Sequence, residues 1–139
     1  MNALLTYRRL TEADIPTFVT MRITQLKEEG AQSDLDLEPA LTAYYQKHLA
    51  DGTFVSWLAV DGEKIVGTSG MSFVEKPPYY SNPTGKIGLL SSMYTNPAYR
   101  RQGIARKLLD HVVEEARTYG CGAVWITASE ICLLYTSDA

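Results

Sequence analysis

The sequence predicts an α/β fold, a mixed and mainly antiparallel central sheet flanked by helices. Three observations carry this. Two alternating apolar runs meet at Asp61-Gly62, the residue pair of a tight hairpin turn. An amphipathic helical pattern over residues 104–119 lies between two apolar runs, 87–95 and 123–128, so the helix would cross over between parallel strands. Ahead of the hairpin, two further stretches have helical spacing and are separated by Gly30.

Taken in order, residues 5–10 read as a first strand. Thr11 then suits a helix cap, with Asp14 three residues on placing a carboxylate near the positive end of the helix dipole. Ile15, Phe18, Val19, Met21, Arg22 and Leu26 trace one face of that helix, the pattern of core packing, and Gly30 stops it. A second helix opens near Asp36 or Leu37 with Pro39 in its first turn. It runs through Leu41, Tyr44, Tyr45 and His48 to about residue 50, where Asp51-Gly52 ends it. Residues 53–60 and 64–73 are the hairpin strands. Pro77, Pro78 and Pro83 mark residues 75–86 as loop. A third long strand, 87–95, is broken by Asn96-Pro97. The helix 104–119 places Ile104, Leu108, Leu109, Val112, Val113 and Ala116 on one side, Gly120-Cys121-Gly122 ends it, and 123–128 is a last buried strand.

The bulk numbers narrow the function classes. A chain of 139 residues with 45% hydrophobic and 21% charged residues suits one globular domain. A net charge of −3 argues against nucleic acid and anionic membranes as partners, so any anion site must be local. Cys121 and Cys132 have neither metal-ligand spacing nor the density of a disulfide scaffold. No run approaches the roughly 20 apolar residues of a membrane span, and no signal peptide is evident, so the cytoplasm is the expected location. No metal is expected. Asp34, Asp36 and Glu38 lack the glycine and distal glutamate of a calcium loop, and His111-x-x-Glu114-Glu115 has one histidine where a zinc helix needs two.

The chemistry concentrates in residues 93–106. A helix starts here with no Ser, Thr, Asp or Asn at its first positions to satisfy free backbone N–H groups; it has Arg100, Arg101, Gly103 and small Ala105 instead. Gly103 lets a ligand approach the backbone, and the N–H donors, the dipole and the arginines together suit an anion. The other reading of the same residues is a helix start wetted by water with arginines as surface charge.

Arg100-x-x-Gly103-x-Ala105, preceded by a strand and Asn96-Pro97-Ala98-Tyr99, resembles the acetyl-CoA motif of the GNAT acetyltransferase superfamily. The similarity extends from Leu5 to about Glu130. It implies that the N–H groups of Gln102, Gly103, Ile104, Ala105 and Arg106 hold the pyrophosphate of acetyl-CoA, with Arg100 and Arg101 adding charge. It also implies that the main chain of Met93, Tyr94 and Thr95 pairs with the pantetheine arm, one N–H polarising the thioester carbonyl. The implied reaction is direct acetyl transfer to a primary amine, whose proton a carboxylate or water must remove. Glu75, Glu29 and Glu38 are candidates for that carboxylate, and Ser91 and Ser92 could orient the acceptor. The tyrosines Tyr44, Tyr45, Tyr79 and Tyr80 could wall the acceptor site or simply edge the core.

The resemblance leaves the acceptor open between a small molecule and a peptide amine, and a homodimer is a candidate assembly. Two other readings stand beside it: a module that binds acetyl-CoA or CoA without turnover, and a toxin-type acetyltransferase acting on aminoacyl-tRNA, which would want a basic face. Residues 1–130 are read as an incomplete GNAT domain. The family continues with a further helix, which commonly supplies an acid tyrosine, and with closing strands. Residues 131–139 are too few for these, and the string from Cys132 matches a translated sequencing adapter, so 131–139 are expected to be a non-native tail and Tyr135 is not assigned the acid role.

Overall fold

The computed structural model describes residues 5–31, 34–126 and the backbone of 129–132. Its elements run β1 (Leu5–Arg9), α1 (Ile15–Glu28), α2 (Glu38–Asp51), β2 (Phe54–Val55), β3 (Trp57–Asp61), β4 (Lys64–Glu75), β5 (Lys86–Thr95), α3 (Ile104–Tyr119), β6 (Ala123–Ile126) and β7 (Ser129–Cys132). One sheet takes the order β1-β3-β4-β5-β6-β7, with β2 also paired to β4. The Asp61-Gly62 turn, with Gly62 at φ +64°, makes β3 and β4 antiparallel. The α3 crossover makes β5 and β6 parallel, Ile87 lying opposite Ala123 and Leu90 opposite Ile126.

Side-chain alternation distributes the core to both faces of the sheet. Leu58 and Val60 of β3 pack with Phe54 and with Ile15, Phe18, Val19 and Tyr45 of the two N-terminal helices. Ala59, between them, joins Ile104 and Leu108 of α3 on the opposite face. Further along, Val112 and Ala116 of α3 meet Met71, Phe73 and Val124. Each large side chain buried in this way stabilises the fold by roughly 1.5–3 kcal/mol.

The structure departs from the sequence reading at four places. Thr11 does not open α1 directly; a 3-10 turn, Glu12–Asp14, intervenes. The Asp14 carboxylate folds back to accept the Thr11 N–H at 2.8 Å and both Arg8 guanidinium nitrogens at 2.7 and 3.0 Å. On α1 the buried face includes Gln25, while Met21, Arg22 and Leu26 are half-buried. The expected strand 53–60 is split at Ser56, whose carbonyl turns to accept the Leu10 N–H at 2.9 Å. The last expected strand is described over Ala123–Ile126, and the backbone returns antiparallel as β7, a strand the sequence reading did not foresee, pairing Ile126 with Ser129 and Ala123 with Cys132. Residues 127–128 and 133–139, and with them Tyr135 and most of the expected tail, lie outside the described residues.

Candidate active site

The start of α3 is built by a chain of local constraints. Asn96 caps the turn Pro97–Tyr99 by accepting the Ala98 N–H at 3.0 Å. The Tyr99 hydroxyl donates to Asp61 at 2.6 Å, tying this loop to the hairpin. Arg101 and Gly103 then adopt left-handed backbone, φ +65° and +81°, to turn the chain into the helix. Gly103 is the N-cap and carries no side-chain cap. The Lys107 N–H donates to the Gly103 carbonyl at 3.2 Å, so the N–H groups of Ile104, Ala105 and Arg106 precede the first helical bond. Nothing stands within 4 Å of where a Gly103 Cβ would lie. The helix can sit this close to the sheet because Gly67 leaves room: a Cβ there would be 3.0 Å from Ile104 and 3.2 Å from Leu108.

Beyond Leu90, strand β5 runs toward this helix start with β4 as its described neighbour. Among the described residues β5–β6 pairing ends at Leu90, while residues beyond it stay paired with β4. The β4–β5 register jumps there: Gly70 faces Ser91 but Thr68 faces Tyr94, so Ser92 and Met93 together oppose Ser69. This is a β-bulge, with Ser92 at φ +58°. The result is a cavity of about 530 Å³ between the end of α1, the far half of β5 and the start of α3.

Polar side chains of α1 organise its wall. Gln25, 8% exposed, donates to the Met93 carbonyl at 3.0 Å and to Glu29 at 3.2 Å, and accepts from Arg22 at 3.1 Å. Glu28 accepts the Tyr94 hydroxyl at 2.7 Å and Arg100 at 3.3 Å, while Arg100 Nε donates to the Thr95 carbonyl at 2.8 Å. The Tyr94 hydrogen bond, with help from Arg100, lowers the Glu28 pKa, and the same bond raises that of Tyr94.

Met93, Tyr94, Thr95, Arg100, Arg101, Gly103, Ile104, Ala105 and Arg106 all line the cavity, and Gln102 lies in the same turn. Arg100 differs from the expectation: its guanidinium is held by Glu28 and Thr95. Arg106 leans on Asp110 at 3.3 Å, and Arg101 is exposed. Of the three carboxylates singled out, Glu29 lines this cavity. Glu38 borders a separate depression with Asp34 and Asp36, and Glu75 sits exposed at the far end of β4 opposite Lys86. The tyrosines divide: Tyr45 is core, edge-on to Phe18, Tyr44 bonds the Ser72 hydroxyl at 2.8 Å, and Tyr80 is fully exposed. His111 stacks on Trp57 at 3.9 Å, and Glu115 takes Arg9 and the Trp57 indole, so both are structural.

Gln25, Glu28 and Tyr99 were not foreseen as part of this site. A signal for Gln25 was present: it is a polar residue at helical spacing on the packed face, three residues after Arg22 and four before Glu29.

Comparison with known proteins shows the family. The model of the Acetyltransferase (GNAT) family matches residues 18–131. The chain belongs to that family. It is an acyltransferase by that membership. A predicted acetyltransferase from Clostridium acetobutylicum, solved with acetyl-CoA, is 35% identical over 90% of this chain and 81% of its own, with a TM-score of 0.85. A GCN5-related N-acetyltransferase from Ralstonia eutropha JMP134 shares the fold at 23% identity, covering 89% of this chain and 83% of that one, with a TM-score of 0.82. Glucosamine-6-phosphate N-acetyltransferase from Arabidopsis thaliana also shares the fold, at 16% identity over 90% of this chain and 82% of its own and a TM-score of 0.69. No curated protein matches the chain. No described helix is long and apolar enough to cross a membrane.

Proposed function

We propose that this acetyltransferase takes acetyl-CoA as co-substrate in the cavity below α3 and transfers the acetyl group to a primary amine, of a small molecule or a peptide, by direct attack. The carrying observation is the uncapped α3 start, whose Gly103 leaves open space beside backbone N–H groups in the cavity shared with Met93, Tyr94 and Thr95 of β5. A pyrophosphate suits those donors, each charge-assisted bond contributing roughly 1.5–3 kcal/mol. Arg101 and Arg106 add positive charge beside them, while Arg100 braces the strand end. Met93, Tyr94 and Thr95 line the cavity, and their strand suits a pantetheine arm laid along β5, the Met93 and Thr95 carbonyls already being held by Gln25 and Arg100. The Met93 N–H is the donor assigned to the thioester carbonyl, where negative charge develops during attack.

Glu29 is the carboxylate assigned to take the amine proton, directly or through a water, because it lines the cavity and shares the Gln25 amide with Met93. The C–N bond forms as the C–S bond breaks, and the thiolate of CoA leaves and takes a proton from solvent.

Calorimetry with acetyl-CoA on folded wild type and Gly103→Val tests the cofactor site. Valine at φ +81° both strains the backbone and fills the approach, and affinity is expected to fall by at least ~2 kcal/mol. Equal affinities would remove the assignment. For the base, Glu29→Gln should lower kcat on any amine found to be a substrate while leaving acetyl-CoA affinity intact; an unchanged kcat would remove Glu29 from the role.

A further inference from the structure

The β5 bulge contains two consecutive peptide groups, and each is pinned by a side chain from a different element. The hydroxyl of Thr68, on β4 and 2% exposed, donates to the Ser92 carbonyl at 2.7 Å. The amide of Gln25, on α1, donates to the Met93 carbonyl at 3.0 Å. Gln25 is itself fixed by Arg22 at 3.1 Å and Glu29 at 3.2 Å.

In a trans peptide the C=O and N–H point in opposite directions. Holding the Ser92 carbonyl on the Thr68 hydroxyl therefore turns the Met93 N–H away from that hydroxyl. Ser92 stands at φ +58°, a backbone region that a residue other than glycine occupies only when its surroundings impose it. Removing either pin frees a peptide of the bulge to rotate or to return to the regular ladder.

We infer that Thr68 and Gln25 are positioning residues that hold the bulge so that the Met93 N–H is aimed at the acetyl carbonyl. This rests on the cofactor reading above and deepens it. Neither residue touches the acetyl group. Both act through the backbone, and a donor fixed before the reaction needs no reorganisation as charge develops on the carbonyl oxygen. Thr68 matters for its hydroxyl and not its bulk, since valine has nearly the same shape and lacks the donor.

The readout is the carbonyl stretch of acetyl-CoA carrying carbon-13 at the thioester carbon, measured by isotope-edited infrared difference spectroscopy on the full chain. CoA affinity, measured by calorimetry, serves as the control for an intact cleft. In the wild type the band is expected at lower wavenumber than in free acetyl-CoA, because a hydrogen bond weakens the C=O. Thr68→Val and Gln25→Leu should lose that shift while CoA affinity stays within about twofold. Thr68→Ser, which keeps the hydroxyl, should restore it.

A bound wild-type band at the free position, or an undiminished shift in folded Thr68→Val and Gln25→Leu, overturns the inference. So does a parallel loss of CoA affinity, which would make the pair generally structural. Should Thr68→Val fail to fold, Gln25→Leu and Thr68→Ser decide. If wild type binds neither CoA nor acetyl-CoA, the cofactor reading itself is overturned and this inference falls with it; binding with no band shift overturns the inference alone.

Discussion

Arg101 stands at φ +65° in the turn before α3, a left-handed conformation that costs a side-chain-bearing residue about 1–2 kcal/mol. Glycine adopts it freely but loses more entropy on folding, roughly 0.5–1 kcal/mol. Arg101→Gly is therefore expected to raise stability by about 0.5–1 kcal/mol in urea denaturation. The same change should weaken acetyl-CoA binding severalfold by removing a charge near the phosphates. An arginine kept in a strained position in this way points to charge as its use. The Arg8–Asp14 pair, by contrast, is a structural contact with a pH signature. The Arg8 guanidinium, together with Thr11, holds the Asp14 carboxyl down to about 2. A carboxylate depressed in the folded state contributes stability above its unfolded pKa, about 4, and that contribution fades as pH falls from there toward 2. Asp14→Asn should lower the melting temperature near neutral pH, and the gap from wild type should narrow as pH drops through this window. A gap that stays constant would show the ion pair to be idle.

At the scale of elements, the decisive contact is α3 against the hairpin. Gly67 leaves the first turn of α3 resting on bare backbone of β4, with Ile104, Leu108 and Ala59 all within 3.3 Å of a Cβ placed there. Gly67→Val must push the helix start outward. Overpacking of this kind costs about 1–3 kcal/mol, and the urea midpoint should fall accordingly. Acetyl-CoA affinity should fall with it, because the N–H groups of Ile104, Ala105 and Arg106 move with the helix. Leu108→Ala, at a fully buried position of the same interface, leaves a void instead and should cost about 2–5 kcal/mol. The two substitutions separate position from stability: the first should affect binding more than its stability loss explains, the second should not.

Across the whole molecule, the helices divide the labour. The N-terminal pair α1 and α2 closes one face of the sheet, and α3 the other. Strand β4 is paired on both sides, to β3 and β5, and covered on both faces. Its amides can exchange only when the sheet opens as a whole, so β4 should be the slowest-exchanging strand in hydrogen–deuterium exchange. The segment before α2, where Leu35 is 72% exposed, should exchange among the fastest. Faster exchange in β4 than in β1 would contradict this account of where the fold is held.

Much of this was written in local signals. Asp61-Gly62 specifies a hairpin because its backbone conformation matches the twist of the flanking strands. The period of Ile104, Leu108, Val112 and Ala116 specifies a helix with one buried face, and helix and strand order make β5 and β6 parallel. The anion site proposed at Gly103 and its neighbours could be proposed from sequence because it would reside in one continuous stretch of backbone. What the sequence could not express is anything that needs two distant segments at once. Whether Glu29, Glu38 or Glu75 faces the cavity depends on how α1 docks, and the docking brings in only Glu29. The engagement of Arg100 by Glu28 spans 72 positions, and Gln25 reaches Met93 across 68. The bulge at Ser92 and Met93 is a mismatch between two strands, invisible in either alone. Local backbone preference is a property of neighbours in sequence, whereas hydrogen bonds between side chain and strand edge are settled only when the packed core has brought those groups together.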